Sequence, residues 1–346
     1  MSAEPRRYAG AHVVVTGGGG FIGRHLVGAL LAEGAQAVTF GRTPVAVEGA
    51  EHVRGDVRDD AAVSGLLDRR FDAVFHLAAY SGQVPGFTDN EQSLTTNCLG
   101  LLNVLEAIRR RSPRTVLCMP SSRLVYGRTR YLPVDEDHPR ASLSLYGINK
   151  RAGEEYCAYY GARWGIRSVV LRLTNPYGPH AIVSHNRYNV ANWMIDQLVC
   201  GRDVALFGGG TQLRDYVYVG DAVEAMLAAT SAERAHGAVY NVGSGAGVPM
   251  AGFVRTAISF AGAGSWRPEP WPDDVLQVET GDFVADITSI ERAIGWKPRV
   301  SLAEGLAHTV ATQRRAFAGA GRRRRTAAVQ GVPVLPASES DVEAAA

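Results

Sequence analysis

The stretch His12-Val-Val-Val-Thr-Gly-Gly-Gly-Gly-Phe-Ile-Gly23 decides the fold of this chain. A short apolar run ends in four consecutive glycines, and the apolar residues that follow, among them Phe21, Leu26 and Leu30, recur at helical spacing. This order predicts a strand, a tight turn and a helix. Because glycine has no Cβ, backbone amides can close on a pyrophosphate, and the N-terminus of the new helix attracts the same anion. The chain is therefore predicted to begin with a dinucleotide-binding site.

The register of the glycine loop has two readings. Gly18, Gly20 and Gly23 match the spacing G-x-G-x-x-G, whereas Gly17, Gly20 and Gly23 match the looser spacing G-x-x-G-x-x-G. The sequence leaves the choice between them open.

Strand-like and helix-like segments alternate through the first half of the chain. The predicted strands are 35–40, 52–54, 71–77, 114–119 and 167–173, and the predicted helices are 61–67, 95–111 and 145–164. Such alternation predicts an α/β fold with a doubly wound parallel sheet, which binds ligands at the carboxyl ends of its strands.

The second half has longer polar loops and predicts a smaller, interleaved substrate lobe. We assign residues 8–176 to the dinucleotide-binding domain, with returning segments near 203–243, and residues 177–202 and 244–317 to the lobe. Residues 319–346 are rich in Arg, Ala, Ser and Glu without apolar periodicity, which predicts a disordered tail.

Composition narrows the class of protein. The 346 residues carry a net charge of +2, which argues against a dedicated nucleic-acid surface. The four cysteines form no C-x-x-C pair, so neither a disulfide framework nor a metal site is expected. No apolar run approaches the roughly 20 residues of a membrane helix, and no signal-type core follows the polar N-terminus. We expect a soluble cytoplasmic protein without a membrane partner.

A candidate catalytic set lies around the helix predicted at 145–164. Tyr146 and Lys150 are four residues apart at its start, and hence on one face. A phenol ionises near pH 10, so it acts as a base at neutrality only if a neighbouring cation stabilises the phenolate. Ser121 and Ser122 end the preceding strand, where a hydroxyl can donate to a substrate oxygen while the tyrosine takes its proton.

Further motifs accompany this set. They are Thr16 to Gly23, His76 to Ala79, Asn97 ahead of Asn103 to Ala107, Ser121 to Gly127, Arg172 to Pro179, Arg214 to Asp221, Asn241 to Ser244 and Gly295 to Pro298. Together with Tyr146-x-x-x-Lys150 they resemble the extended short-chain dehydrogenases/reductases, in the epimerase/dehydratase branch that acts on nucleotide sugars. The resemblance covers about residues 10–317. It implies a Rossmann domain, NAD as the cofactor and a nucleotide-diphosphate sugar as the substrate.

The resemblance also implies roles for individual residues. Tyr146 is the catalytic acid/base, Ser122 occupies the catalytic Ser/Thr position, and Lys150 binds the ribose hydroxyls and lowers the pKa of the tyrosine. Asn175 and Arg214 hold the substrate's diphosphate; the alternative for Arg214 is an ion pair with Asp215 or another neighbour. The residues assigned to the cofactor are Gly17, Gly20, Phe21, Ile22, Gly23, Asp56, Val57, Leu77, Ala78, Ala79, Asn97, Tyr146 and Lys150.

The sequence departs from its relatives at several positions. Arg123 and Leu124 stand where dehydratases carry an Asp-Glu pair, which disfavours 4,6-dehydration. Arg42 stands where NAD-using relatives present an acid to the ribose, so Arg42 makes NADP a second candidate cofactor.

Three further observations concern the substrate site. A second diphosphate-binding arginine, which relatives carry shortly before residues 280–286, has no clear counterpart. Phe283 aligns with a residue that limits the substituent on C2 of the sugar, and its bulk disfavours an N-acetyl group. Arg187, in a polar loop, is a candidate for binding a uronate carboxylate.

Three functions fit these features. The first is a 4-epimerase of a UDP-hexose or UDP-uronic acid, by transient oxidation at C4 with an enzyme-bound cofactor. The second is an NADPH-dependent reductase of a 4-keto sugar nucleotide, and the third is a dinucleotide-binding sensor without turnover. Relatives pair as homodimers through two helices, which here correspond to 95–111 and 145–164, although the apolar residues of those helices equally suit packing against the sheet.

Overall fold

The computed structural model describes residues 6–43, 47–81, 89–180 and 189–329, with side chains described as far as Phe317. It contains one large sheet and two small ones. The strands are β1 His12–Thr16, β2 Gln36–Gly41, β3 Glu51–Arg54, β4 Ala73–His76, β5 Val116–Ser122, β6 Ser168–Leu173, β7 Asn175–Tyr177, β8 Asp203–Phe207, β9 Leu213–Tyr218, β10 Val239–Val242, β11 Gly247–Pro249 and β12 Ser265–Glu269.

The large sheet has seven strands in the order β10-β6-β5-β4-β1-β2-β3. Every pairing in it is parallel. The order 3-2-1-4-5-6 defines the doubly wound Rossmann arrangement, so the predicted fold is confirmed. Because all seven strands run the same way, the segments that follow them meet at one edge of the sheet. That edge holds the candidate site.

Helices cover both faces of this sheet and also build the second lobe. They are α1 Phe21–Ala32, α2 Asp60–Leu67, α3 Asn90–Leu94, α4 Gly100–Arg111, α5 Leu145–Trp164, α6 Val190–Val199, α7 Val219–Ser231, α8 Met250–Ala261, α9 Asp273–Gln277, α10 Thr288–Ile294 and α11 Leu302–Val329. One core contains buried residues of α1 and α7, and the core on the other face contains buried residues of α2, α4 and α5. A π-helical turn, Thr95–Leu99, precedes α4 within the helix predicted for 95–111.

The smaller lobe has its own core, formed by buried residues of α6, α8 and α11 with β8 and β9. Tyr216 stacks on Phe253 there, with ring centroids 4.2 Å apart. A shorter part of the chain returns to the large sheet than the segment near 203–243 that the sequence predicts. Only β10 enters that sheet, whereas β8 pairs in parallel with β12, and β9 pairs with β7 and β11. Sequence periodicity indicates a strand but not its partner, which explains the difference.

Helix α11 overlaps the start of the tail that the sequence predicts from residue 319. Helix α11 continues to Val329, into the region predicted to be disordered from residue 319. Alanine and arginine are strong helix formers, which accounts for the continuation. Residues 330–346 lie outside the described residues.

None of the helices in the described part of the chain is long and apolar enough to span a lipid bilayer.

Candidate active site

The glycine loop connects β1 to α1 and is packed so closely that side chains are excluded from it. Gly17 has φ +67°, and a Cβ there would come within 2.8 Å of the Ala78 nitrogen. At Gly23 a Cβ would come within 2.3 Å of the Gly17 carbonyl oxygen, and at Gly18 within 2.6 Å of Thr39. The positive φ at Gly17 favours the register through Gly17, Gly20 and Gly23, while Gly18 is also sterically required.

The start of α1 is suited to an anion. Its N-cap, Gly20, makes no side-chain capping bond, and the first turn carries no acidic residue. The first backbone N–H groups of a helix have no partner within the helix, so those of Phe21 and Ile22 are available to oxygens of a pyrophosphate. This steric cradle with its free donors fits the dinucleotide expected from the sequence.

The segment after β4 is held against the glycine loop. The Thr16 carbonyl accepts a hydrogen bond from the Leu77 nitrogen, and the Thr16 hydroxyl accepts one from the Ala78 nitrogen, at 3.1 Å each. Asn97 binds both backbone groups of Tyr80, accepting from its nitrogen at 2.9 Å and donating to its oxygen at 2.8 Å. Thr16 and Asn97 therefore hold residues 77–80, which include Ala79, in place.

The other residues predicted for the cofactor lie along the same edge. Arg42 directly follows β2, and Asp56 and Val57 follow β3. Asp56 forms an ion pair with Arg58 at 2.6 Å. The pKa of its carboxyl is lowered, first by the hydrogen bonds from Arg58, with a contribution from the charge of Arg42. Asn103 donates to the Val57 carbonyl at 2.9 Å, which anchors this strand end to α4.

Ser122 ends β5 and starts a short 3-10 turn, Arg123–Val125, in which its Oγ accepts a hydrogen bond from the Leu124 nitrogen at 3.3 Å. The neighbouring Ser121 is engaged elsewhere, because its hydroxyl donates to Glu154 at 2.6 Å. No acceptor for the Ser122 hydroxyl is found among the described residues, so of the two serines it is Ser122 that can donate to a ligand. The geometry thus favours the serine chosen from the sequence.

Tyr146 and Lys150 lie in the first two turns of α5, whose N-cap is Ser144. The Lys150 ammonium donates to the Pro120 carbonyl at 2.9 Å and lies 5.7 Å from the Tyr146 ring centroid. At Gly147 a Cβ would come within 2.5 Å of the Leu124 carbonyl oxygen. These close approaches bring the start of α5 against the end of β5, so the structure places the three predicted catalytic residues in one region.

The pKa values of Tyr146 and Lys150 shift in the directions that favour the neutral phenol and the neutral amine. Burial raises the pKa of Tyr146 to about 12, and burial lowers the pKa of Lys150 to about 8. The expectation that Lys150 lowers the pKa of Tyr146 is wrong for this arrangement, because burial of the phenol dominates. Nearby, burial and the charge of Lys150 lower the pKa of His76 to about 3.

A buried polar network beneath the site was missed by the sequence analysis. Glu154 pairs with Arg172 at 2.7 Å and also accepts from Ser121. Arg172 donates to the Tyr126 hydroxyl at 2.8 Å, which in turn donates to Asn241 at 2.7 Å. One signal was available, because Glu154 is four residues beyond Lys150 and hence on the same face of α5.

Of the residues predicted for the substrate diphosphate, Asn175 is the first residue of β7 and Arg214 is the second residue of β9. Asn175 donates to the Asp215 carbonyl at 2.8 Å. Arg214 is paired with Glu279 at 2.6 Å and donates to the Gly281 carbonyl. The alternative of an ion pair is therefore present, but its partner is Glu279. The Asp215 carboxylate instead accepts from backbone N–H groups, including those of Ser244 and Ala285.

Arg123 extends into the same region. Its guanidinium donates to Asn175 at 3.3 Å and to the Thr280 hydroxyl at 2.8 Å, and its Cζ lies 5.4 Å from the Phe283 ring centroid. Phe283 is buried and packs in a small cluster with Tyr126 and neighbouring apolar residues. Arg187 lies outside the described residues.

Comparison with known proteins identifies the class that this fold and site define. The family model described as the NAD dependent epimerase/dehydratase family matches residues 13–243. The chain belongs to this family, and NAD is its cofactor.

Individual relatives agree with this assignment. The UDP-glucose 4-epimerase of Mycolicibacterium smegmatis is 33% identical over 308 residues, which cover 86% of this chain and 96% of the relative. The structure of the Thermus thermophilus UDP-glucose 4-epimerase in complex with NAD is similar with a TM-score of 0.79 and 30% identity, covering 88% of this chain and 99% of that chain. The Bacillus cereus UDP-glucuronic acid 4-epimerase in complex with UDP-glucuronic acid and NAD is similar with a TM-score of 0.77 and 26% identity, over the same shares of 88% and 99%.

Proposed function

We propose that this protein is a nucleotide-sugar 4-epimerase, which inverts C4 of a UDP-hexose or UDP-uronic acid through transient oxidation with bound NAD. The observation that carries the proposal is the convergence of Ser122, Tyr146 and Lys150 at the carboxyl edge of the sheet that also bears the glycine loop. The epimerases similar to this chain support the substrate class, since their names state UDP-glucose and UDP-glucuronic acid.

The three side chains have complementary tasks at the sugar's O4. In its phenolate form Tyr146 takes the proton from this oxygen, and as the phenol it returns that proton, while the Ser122 hydroxyl donates a hydrogen bond to the same oxygen. When bound, NAD supplies the group that accepts a hydride from C4 and later returns it. The Lys150 ammonium supplies donors for the ribose hydroxyls of the cofactor.

The residues after Ser122 distinguish epimerisation from dehydration. Elimination of a hydroxyl from C6 needs a group that removes a proton and another that delivers one to the leaving oxygen. Arg123 and Leu124 occupy the two positions. Leucine has no titratable group, and although burial lowers the pKa of Arg123 to about 9, the guanidinium stays protonated at neutral pH.

A ketoreductase is the second candidate, and Arg42 favours it. This arginine directly follows β2, where a dinucleotide places its adenosine ribose, so its charge suits a 2′-phosphate. Strand β2 pairs in parallel with β3, which Asp56 follows, and the charge of Arg42 contributes to the lowered pKa of Asp56. A reductase would consume NADPH in every turnover, whereas an epimerase recycles its cofactor.

The deciding experiment measures turnover without added cofactor. Nucleotide released from the denatured protein is identified by chromatography, and the native protein is then incubated with UDP-glucose and with UDP-glucuronate. Epimerised product with retained NAD supports the proposal, and turnover that requires NADPH overturns it in favour of the reductase. If neither of these nucleotide sugars nor any member of a wider panel is turned over, the result indicates a dinucleotide-binding sensor.

Tyr146→Phe is the matched variant for this experiment. It removes the proton path alone, so we expect a loss of about 10²–10⁴-fold in kcat with nearly unchanged affinity for NAD. Unchanged turnover in this variant refutes the assignment of the acid/base.

We also propose that two copies pair through α4 and α5, as the resemblance implies. Helix α5 exposes Leu145, Ile148 and Tyr159 at helical spacing, and the turn before α4 exposes Leu99. Light scattering tests this pairing, with Ile148→Glu expected to give a monomer. A protein that is monomeric before substitution contradicts it.

A further inference from the structure

Arg123 combines burial with a position beside the proposed catalytic serine. It is the residue after Ser122, and only 8% of its surface is exposed. Its Nε and Nη1 groups donate to Asn175 and Thr280. Its Nη2 group has no hydrogen-bond acceptor among the described residues. The guanidinium therefore keeps donors for a further partner.

The charge of Arg123 is not neutralised by a contact within the described residues. The other buried arginines of the region have carboxylates, Glu154 for Arg172 and Glu279 for Arg214, whereas no described carboxylate lies within ion-pair distance of Arg123. The internal segments 44–46, 82–88 and 181–188 contain no Asp or Glu. A buried cation is costly unless it is paired, so this position is electrostatically prepared for an anion.

The charged groups around Arg123 do not compensate its charge. Burial, followed by repulsion from Arg214, lowers the pKa of Arg123 to about 9, and the more distant Glu279 and Asp215 offset only part of this shift. Arg214, although paired with Glu279, thus adds to the unfavourable surroundings of the Arg123 charge.

Tyr216 supplies a second and independent observation. Only 5% of the residue is exposed, and its buried hydroxyl has no hydrogen-bond partner among the described residues. Arg214 and Arg123 both act on this phenol electrostatically, against the dominant effect of burial, which raises its pKa. Its strand neighbour is Asn175, which binds Arg123. An orphaned phenol beside two guanidinium groups is a donor without an acceptor.

We propose that Arg123 and Tyr216 form an oxyanion-binding subsite, which holds a negatively charged group of the nucleotide sugar beside Ser122. This inference rests on the proposed function. Two parts of such a substrate carry the required chemistry, the carboxylate of a uronic acid on the carbon next to C4 and the diphosphate. A guanidinium binds either through its forked donors. Arg123 would thereby make binding depend on that anion.

Binding assays on the NAD-loaded protein separate the two sources. Calorimetric Kd values are measured for UDP, UDP-glucose and UDP-glucuronate in a Tyr146→Phe background, which prevents turnover. We expect Arg123→Gln to weaken binding by about 10–100-fold, because it removes charge-assisted hydrogen bonds. We expect Tyr216→Phe to weaken it by about 3–10-fold, as for a neutral donor. The matched control is Arg255→Gln, an exposed residue of α8 with the same change of charge.

The pattern over the three ligands identifies the anion. Weakened binding of UDP-glucuronate alone indicates the carboxylate, and equal weakening of all three indicates the diphosphate; both support the subsite. Unchanged affinities for all three overturn it while leaving the proposed function intact. A parent protein that binds none of the three overturns the proposed function and this inference with it.

Thermal unfolding distinguishes an anion-binding arginine from a merely structural one, because the two roles predict opposite changes in Tm when Arg123 is replaced. Removal of an unpaired buried charge relieves its desolvation cost, so we expect Arg123→Gln without substrate to keep or raise Tm. A lowered Tm together with unchanged ligand affinity shows that Arg123 only supports the loop, and contradicts the proposal.

Discussion

Gly147 controls how closely the start of α5 approaches the turn that bears Ser122. A Cβ at this position would lie 2.5 Å from the Leu124 carbonyl oxygen and 3.2 Å from the Ser142 Cβ. Carbon and carbonyl oxygen normally stay about 3.3 Å apart or more. In Gly147→Ala, therefore, the helix and the turn must separate by about 0.8 Å. Tyr146 lies on one side of this contact and Ser122 on the other.

The expected magnitudes follow from this displacement. Overpacking of a closely fitted site costs about 1–3 kcal/mol of unfolding free energy. A displacement of about 1 Å between catalytic groups lowers the rate by about 10²-fold. Because most residues that we propose for NAD lie at other strand ends, we expect the affinity for NAD to fall much less than kcat. Gly147→Ala is thus expected to lose activity out of proportion to its loss of stability.

The assay compares kcat, retained NAD and urea unfolding for Gly147→Ala and Gly28→Ala. Gly28 is an exposed position inside α1 with open space around its Cα, so alanine there removes only backbone freedom and should stabilise the protein by about 0.5–1 kcal/mol. If Gly147→Ala keeps both its kcat and its stability, the close approach does not position the site and the reasoning is refuted.

Two further predictions concern α5. Burial lowers the pKa of Lys150 from 10.5 to about 8, so between these pH values the unfolded chain holds a proton that the folded protein has released, and the stability that this group confers rises with pH. Urea unfolding of the nucleotide-free protein should show this rise relative to Lys150→Met, with Lys297→Met as the exposed control. Parallel stability curves for the protein and Lys150→Met would contradict the prediction. Glu154→Gln leaves Arg172 buried without a carboxylate and should cost about 3–5 kcal/mol of unfolding free energy. Glu155→Gln, at the exposed adjacent position, should cost at most about 1 kcal/mol, and equal costs would disprove the importance of the buried pair.

Residues close together in the chain were predictable from the sequence. The glycines after β1 and the spacing of Tyr146 and Lys150 are local patterns, because a turn and one helical face are defined within a few residues. A serine at this edge was predictable as well, since the parallel sheet brings the ends of its strands together and Ser121 and Ser122 end one of them, while the resemblance selected Ser122. These features were sufficient to indicate the fold, the cofactor and the candidate catalytic set.

The tertiary structure decided which distant residues meet. Arg123 contacts Asn175 and Thr280, which are 52 and 157 residues away in the chain. No periodicity relates such positions, because their distance depends on how the loops of the smaller lobe pack against the sheet. The raised pKa of Tyr146 likewise depends on burial, which arises only when α5 packs against the end of β5. The sequence alone thus determined the types of residue at the site, and packing determined their charges and partners.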